Sequence, residues 1–163
     1  MPRKPPSRSQ PVSVYEKALA LLARREHSAR ELKSKLARRG LDAGESAAAL
    51  EKLQSKDFQN DARFGEMLVR SRIAGGYGPR WISAELNTHG ISDEAAQALV
   101  DAAEPDWLEL ARNLLRRRYA RPASTLGERA KYAAFLLRRG FDASTARLAV
   151  GNGGSSRLPD EAD

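Results

Sequence analysis

The 163-residue chain contains no cysteine. That excludes disulfides, thiolate nucleophiles and Cys-based zinc sites. Aromatic residues make up only 6% of it. A core must then come mostly from Leu and Ala, which favours helices over sheets. No apolar run approaches the roughly 20 residues that a bilayer span needs. The opening MPRKPPSRSQP carries cations but no apolar stretch behind them, so it does not read as a secretory signal. These absences together predict a cytoplasmic protein with no membrane partner.

Catalytic signatures are equally scarce. The two histidines, His27 and His89, stand near expected helix ends, where imidazole interacts well with terminal carbonyls. No His, Asp and Glu cluster has metal-ligand spacing, and no nucleophile elbow is present. GGYGPR at 75–80 is a Gly-rich loop, but it lacks the Gly-Lys-Ser/Thr ending of a phosphate loop. It reads as a helix end, a turn, and a new helix opened by Pro79. The expectation is a protein without catalytic residues, metal, cofactor or small-molecule substrate.

What the chain has in plenty is positive charge, unevenly placed. The net charge is +7. Residues 107–150 alone hold ten basic and three acidic residues, whereas 62–106 hold four basic and seven acidic. A basic last third beside an acidic middle predicts a bipolar surface that attracts polyanions at one end.

The second abundant feature is repetition. LARRGLDA at 36–43 returns as LLRRGFDA at 136–143. Gly40, Gly90 and Gly140 are spaced 50 residues apart, each with a leucine four residues earlier: Leu36, Leu86 and Leu136. A large apolar residue follows each glycine (Leu41, Ile91, Phe141), and then an N-cap residue (Asp42, Ser92, Asp142). This is the grammar of a helix closed by a left-handed glycine, with an apolar contact across the corner. The three glycines are therefore predicted to be structural helix C-caps. Ser28-x-x-Glu31, Asp42-x-x-Glu45 and Thr125-x-x-Glu128 can each form a capping box.

Apolar spacing of three and four predicts nine helices, near 14–26, 28–39, 43–56, 61–74, 79–88, 92–103, 106–119, 125–139 and 143–150. The expected fold is all-α: an elongated tandem array of three three-helix repeats. The repeats fall at 14–61, 62–105 and 106–150, with a disordered basic tail at 1–13 and another disordered tail at 151–163.

Arginines are the remaining candidates for function. Arg24, Arg25, Arg38 and Arg39 form dibasic helix ends in the first repeat. Arg116, Arg117, Arg118, Arg121, Arg138 and Arg139 do so in the third. One cation per helix end is explained by the helix dipole, at roughly 0.3–1 kcal/mol each. Three in succession point about 100° apart and cannot share one structural contact. Partner contact and solvated surface both fit that triplet.

Three stretches, YEKALALLARREHSARELKSKLARRG, RSRIAGGYGPRWISAELNTHGIS and LLRRRYARP…KYAAFLLRRGFD, in this order resemble the bacterial recombination regulators of the RecX family. The resemblance spans residues 14–150. It implies a protein that binds the RecA recombinase along the groove of its filament on DNA. It further implies inhibition of filament extension, ATP hydrolysis, strand exchange and co-protease activity, with consequences for DNA repair and the SOS response. Arg70, Arg72, Tyr77 and Arg80 fall in the middle motif and join Lys131 and the arginines above as candidate contacts with RecA or DNA. Weak, sequence-independent DNA binding accompanies this reading. The alternative is a helical DNA-binding protein of the helix-turn-helix kind.

Overall fold

A computed structural model describes residues 10–151 of the chain. The described residues are helical throughout, with no strand: α1 (Val14–Leu22), α2 (Ala29–Arg38), α3 (Ala43–Ser55), α4 (Asp61–Ala74), α5 (Pro79–Thr88), α6 (Asp93–Ala102), α7 (Trp107–Arg118), α8 (Leu126–Arg138) and α9 (Ala143–Val150). The expected tails, 1–13 and 151–163, lie outside the described residues except for 10–13 and Gly151. The architecture is all-α and built of three three-helix groups, as the glycine period predicts.

All three groups turn on the same backbone corner. Gly40, Gly90 and Gly140 have φ of 71°, 82° and 91°. In each, the glycine amide donates to the carbonyl three residues back. The following apolar residue donates five back: Leu41 to Leu36, Ile91 to Leu86 and Phe141 to Leu136, at 3.1–3.3 Å. These are the paired bonds of a Schellman closure, which satisfy carbonyls that the helix end would leave bare. Two further corners follow the same pattern. Gly76 closes α4, with Tyr77 donating to Arg72 at 3.0 Å. Asp57 closes α3 with φ 56°, a left-handed residue that carries a side chain.

N-caps agree in part with the spacing rules. Thr125 and Glu128 form a reciprocal capping box, and so do Ser13 and Glu16, a pair outside the three expected. Ser28 and Asp42 accept from the amides of Glu31 and Glu45.

The clearest departure is α1, which stops at Leu22 rather than at residue 26. Ala23, Arg24, Arg25 and Glu26 are good helix formers, but bonds from Arg63 to Glu26 and from Gln59 to the His27 carbonyl, together with local ones, override the propensity. The Arg25 carbonyl contacts the His27 ring, and the Arg25 guanidinium bonds to the Glu26 carbonyl and Glu31. Arg24 and Arg25 therefore lie in a turn and not on a helix end.

The chain divides into two compact units, 1–64 and 65–163. In the first, Leu36 of α2 meets Ala18 of α1 and Leu53 of α3, while Leu21, Leu32 and Leu50 form a second cluster. The i, i+3 and i, i+4 spacings place these residues on one face of each helix, and burying each leucine contributes about 1.5–3 kcal/mol.

The second unit holds the rest of α4 and α5–α9. Ile82, Leu86, Ala96 and Val100 are fully buried in its earlier part. Ala111, Leu114, Leu115, Tyr132, Leu136, Phe141 and Ala146 form the core of its later part. The backbone joins the two parts. Gly78 N–H donates to the Arg139 carbonyl at 2.8 Å, and Arg80 N–H to the Gly140 carbonyl at 3.0 Å. A Cβ on Gly78 would overlap the Gly140 carbonyl, and one on Gly140 would overlap the Trp81 amide. The GGYGPRW loop is thus a clasp that closes on the last glycine corner. Its glycines serve close backbone approach and a left-handed helix end.

Candidate functional site

The clasp positions side chains as well as backbone. Tyr77, held by the α4 corner, stacks on Trp81 in the first turn of α5, with ring centroids 4.9 Å apart. Trp81 is 45% exposed, an unusual state for so large an apolar surface. The Arg139 guanidinium, on the α8 C-cap, lies 4.7 Å from the Tyr77 ring centre and 5.8 Å from that of Phe135. Arg118, at the end of α7, contacts Tyr119 at 5.4 Å and Phe135 at 6.0 Å. Lys131 contacts Tyr119 at 5.8 Å. Tyr119 stacks on Tyr132, whose hydroxyl donates to the Arg121 carbonyl at 3.1 Å. The result is a continuous cation–aromatic strip running Trp81, Tyr77, Arg139, Phe135, Arg118, Tyr119, Lys131 within the second unit. Each cation–π contact is worth about 0.5–1 kcal/mol in such exposed positions, so the strip holds its arginines in place without neutralising them.

Four of the sequence candidates, Tyr77, Arg118, Lys131 and Arg139, meet in that strip. Arg72 lies beside it, in a surface groove shared with Tyr77, Trp81, Ala84, Glu85 and Thr88. Its guanidinium grips Glu85 through two bonds of 2.6 Å. The Arg72 bond pulls the Glu85 carboxyl below its usual range, against the opposing effect of burial. The same bond raises the Arg72 pKa. Arg72 thus braces the groove and is not a free cation.

Other candidates are also paired. Arg116 bonds to Glu109 at 2.6 Å and to Asn113, and Arg121 bonds to Glu128 and Ser124. Arg25 pairs with Glu31. By contrast, Arg24, Arg38, Arg39, Arg70, Arg80, Arg117 and Arg138 are exposed and have no ion-pair partner among the described residues. Arg24, Arg38 and Arg39 belong to the first unit, the other four to the second. The side chains of Trp81, Tyr119 and Phe135 were not singled out by the sequence. Their common signal is an aromatic residue within four positions of a singled-out arginine.

His27 departs from its expected helix-end role: it is 2% exposed and sits in a polar cluster. Its Nδ1 is 2.9 Å from the Arg25 carbonyl, and its Nε2 is 2.9 Å from Lys35 Nζ. A lysine ammonium only donates, so Nε2 accepts and Nδ1 carries the proton. The ring is neutral, and burial lowers its pKa. Glu31 completes the cluster, 3.1 Å from Lys35 Nζ. Burial pushes the Glu31 carboxyl up, but hydrogen bonds from Arg25 and Lys35 and the neighbouring His27 more than reverse this and bring it to about 2. Nearby, Gln59 is buried and donates to the His27 carbonyl and to Asp61, which also accepts the Ala29 amide. Every partner here is used internally, so the cluster fastens α2 and the preceding turn to the start of α4. Among the described residues, no group of three or more His, Asp or Glu side chains could hold a metal ion, and no helix is long and apolar enough to cross a membrane.

Comparison with known proteins follows the same three-part division. Family models described as the first, second and third three-helix domains of RecX match residues 15–53, 60–99 and 104–150. The chain is 48% identical over 136 residues to the regulatory protein RecX of Stenotrophomonas maltophilia, covering 83% of each chain. It is 46% identical to that of Xanthomonas axonopodis pv. citri, covering 83% of this chain and 84% of the relative. The crystal structure of RecX from Lactobacillus salivarius superimposes with a TM-score of 0.67 at 24% identity, over 84% of this chain and 92% of the other. With three consecutive domain matches and relatives of this similarity along nearly their whole length, the chain belongs to the RecX family of regulatory proteins.

Proposed function

We propose that this protein regulates homologous recombination by binding RecA and its nucleoprotein filament. It inhibits the recombinase, ATPase and co-protease activities of RecA, and so modulates DNA repair and the SOS response. It acts in the cytoplasm, by occupancy and without chemistry of its own. The observation that carries this reading is the cation–aromatic strip from Trp81 to Lys131. Arginine and aromatic side chains supply most strong anchors of protein interfaces, and a strip of them without a catalytic group suits docking.

The mechanism is geometric. Two compact units joined through α4 each present unpaired arginines, Arg38 and Arg39 in one, Arg117 and Arg138 in the other. Once one unit is bound, the other is held at high effective concentration near the next filament subunit. A ligand spanning subunits blocks end-on growth and obstructs incoming duplex. The test is RecA ATPase on single-stranded DNA with the purified protein added. Inhibition at ratios well below one per RecA supports the reading, and full ATPase activity at equimolar protein refutes it.

A second reading, a DNA-binding module, draws on the same strip, because bases stack on aromatics between cations. Titration of bare DNA at several salt concentrations separates the two. Tight, sequence-selective binding with a steep salt slope favours the DNA module, and weak, sequence-blind binding favours the RecA ligand.

A further inference from the structure

The second unit carries a cavity of about 500 Å³ where α7, the following loop, α8 and the end of α9 converge. Leu115, Tyr119 and Val150 are among its apolar walls, and Arg112, Arg116 and Arg121 also line it. It lies off the Trp81 groove and shares only Tyr119 with the strip. Apolar walls with three guanidinium groups fit an acidic peptide that has an aliphatic anchor. They fit a bare phosphate chain poorly, because the apolar surface would stay wet.

The chain supplies such a peptide itself. Val150, the last residue of α9, is a wall of the cavity, and Gly151 turns the backbone off the helix with φ 82°. Residues 152–163 read NGGSSRLPDEAD. A Gly- and Ser-rich spacer leads to Leu158 and Pro159, then to Asp160, Glu161 and Asp163. Leu158 lies seven positions after Gly151. A Gly- and Ser-rich stretch of that length spans roughly 15 Å on average, enough to reach a cavity beside Gly151. So short a tether sets an effective concentration on the order of millimolar, at which even weak docking is populated.

Charge favours the same match. The segment from 151 onward has one cation and three carboxylate side chains, whereas residues 107–150 carry a net charge of +7. Arg112 has no ion-pair partner among the described residues. Arg116 and Arg121 are paired with Glu109 and Glu128, yet remain 60% and 64% exposed. Such exposed pairs contribute little and exchange readily for other carboxylates.

We propose that residues 158–163 dock in cis on this cavity, with Leu158 between Leu115, Tyr119 and Val150 and the carboxylates of Asp160, Glu161 and Asp163 on Arg112, Arg116 and Arg121. The docked segment covers Arg116 and Arg121, two of the arginines that the sequence offers as contacts with RecA or DNA. The consequence for such contacts rests on the function proposed above, whereas the docking does not.

The absence of cysteine makes the test direct. Ala162→Cys in the full chain takes a single nitroxide label, and amide signals are compared before and after its reduction. The Leu115 and Tyr119 amides are expected to lose most of their intensity while the label is active. Asp160→Asn/Glu161→Gln/Asp163→Asn in the same labelled chain is expected to restore them, and so is Arg112→Glu, an exposed change that leaves the core intact. Equal broadening with the neutral segment would mean that tethering alone brings the label near, and the proposal falls. Broadening that appears only between isotope-labelled and spin-labelled copies in a mixture would place the segment on a second molecule and overturn docking in cis. None of these readouts involves RecA, so failure here leaves the proposed function standing.

Discussion

The Gly78 amide passes so close to the Gly140 peptide that neither residue has room for a side chain. Two hydrogen bonds run across this contact, into the carbonyls of Arg139 and Gly140. It joins two repeats that lie 62 positions apart at this point in the sequence, and it fixes Trp81 beside the third repeat's glycine corner.

Glycine-to-alanine changes should therefore separate two kinds of glycine. Gly40 has the left-handed φ but nothing within 4 Å of a would-be Cβ. Gly40→Ala should lower stability by about 1–2 kcal/mol, the left-handed penalty alone. Gly78→Ala has an ordinary φ but meets backbone, so about 1–3 kcal/mol of overpacking is expected. Gly140→Ala incurs both effects and should be the worst, at roughly 2–5 kcal/mol. Urea unfolding of the three variants checks the order. Gly40→Ala proving as harmful as Gly140→Ala would remove the clasp argument.

The His27 cluster makes stability depend on pH in one direction. His27 titrates lower in the fold than its ordinary 6.5, so the unfolded chain binds more protons and stability declines as pH falls below about 6.5. Glu31 drops from its ordinary 4.5 to about 2, so its contribution is full above 4.5 and is lost as pH falls toward 2. A shift of that size corresponds to about 3 kcal/mol at most, and solvent screening reduces it to roughly 1–2 kcal/mol. Glu31→Gln should flatten part of the acid limb of the melting temperature against pH. Glu85 and Glu128, also held low, retain the remainder. An unchanged acid limb in the variant would mean that Glu31 is not linked in this way.

The repeat was legible in the sequence because glycine advertises a left-handed corner. Gly40, Gly90 and Gly140, with their leucines and caps, define all three helix ends. The corner at Asp57 was not, since a residue with a side chain takes the same conformation there, φ 56°, while its carboxylate bonds to Asn60 and Arg63. The early end of α1 was hidden for a related reason. Residues 23–26 have helical propensity, and bonds from residues more than thirty positions away, Arg63 to Glu26 and Gln59 to the His27 carbonyl, hold the turn that ends the helix. The arginines could be counted from the sequence but not sorted. Arg72 and Arg117 look alike in a string of letters, yet one clamps Glu85 while the other has no ion-pair partner among the described residues.

Trp81 is the most direct probe of the proposed docking strip. It is half exposed and rests on Tyr77, so Trp81→Ala removes contact area without opening a core cavity. Stability should change by about 1 kcal/mol or less. Affinity for RecA filaments on single-stranded DNA should fall about tenfold or more, the behaviour of a central interface aromatic. Unchanged inhibition by a folded Trp81→Ala protein would move the contact surface elsewhere.

Charge reversal can then ask which unit leads the encounter. Arg117 and Arg138 stand in the unit that bears the strip, whereas Arg38 and Arg39 stand in the unit without it. All four are exposed, lack ion-pair partners among the described residues and stand at helix C-terminal ends, so reversing either pair should lower stability by about 1–2 kcal/mol through the helix dipole. Exposed charges act mainly on the association rate, through steering that salt suppresses. Arg117→Glu/Arg138→Glu should therefore slow binding to RecA filaments markedly at low salt and only mildly at high salt, with little change in dissociation. Arg38→Glu/Arg39→Glu should slow it less, because that unit binds second and at high effective concentration. Association rates of both variants, measured at two salt concentrations, decide the matter. A larger effect from the Arg38/Arg39 pair would make the first unit the leading contact and reverse the proposed order of binding.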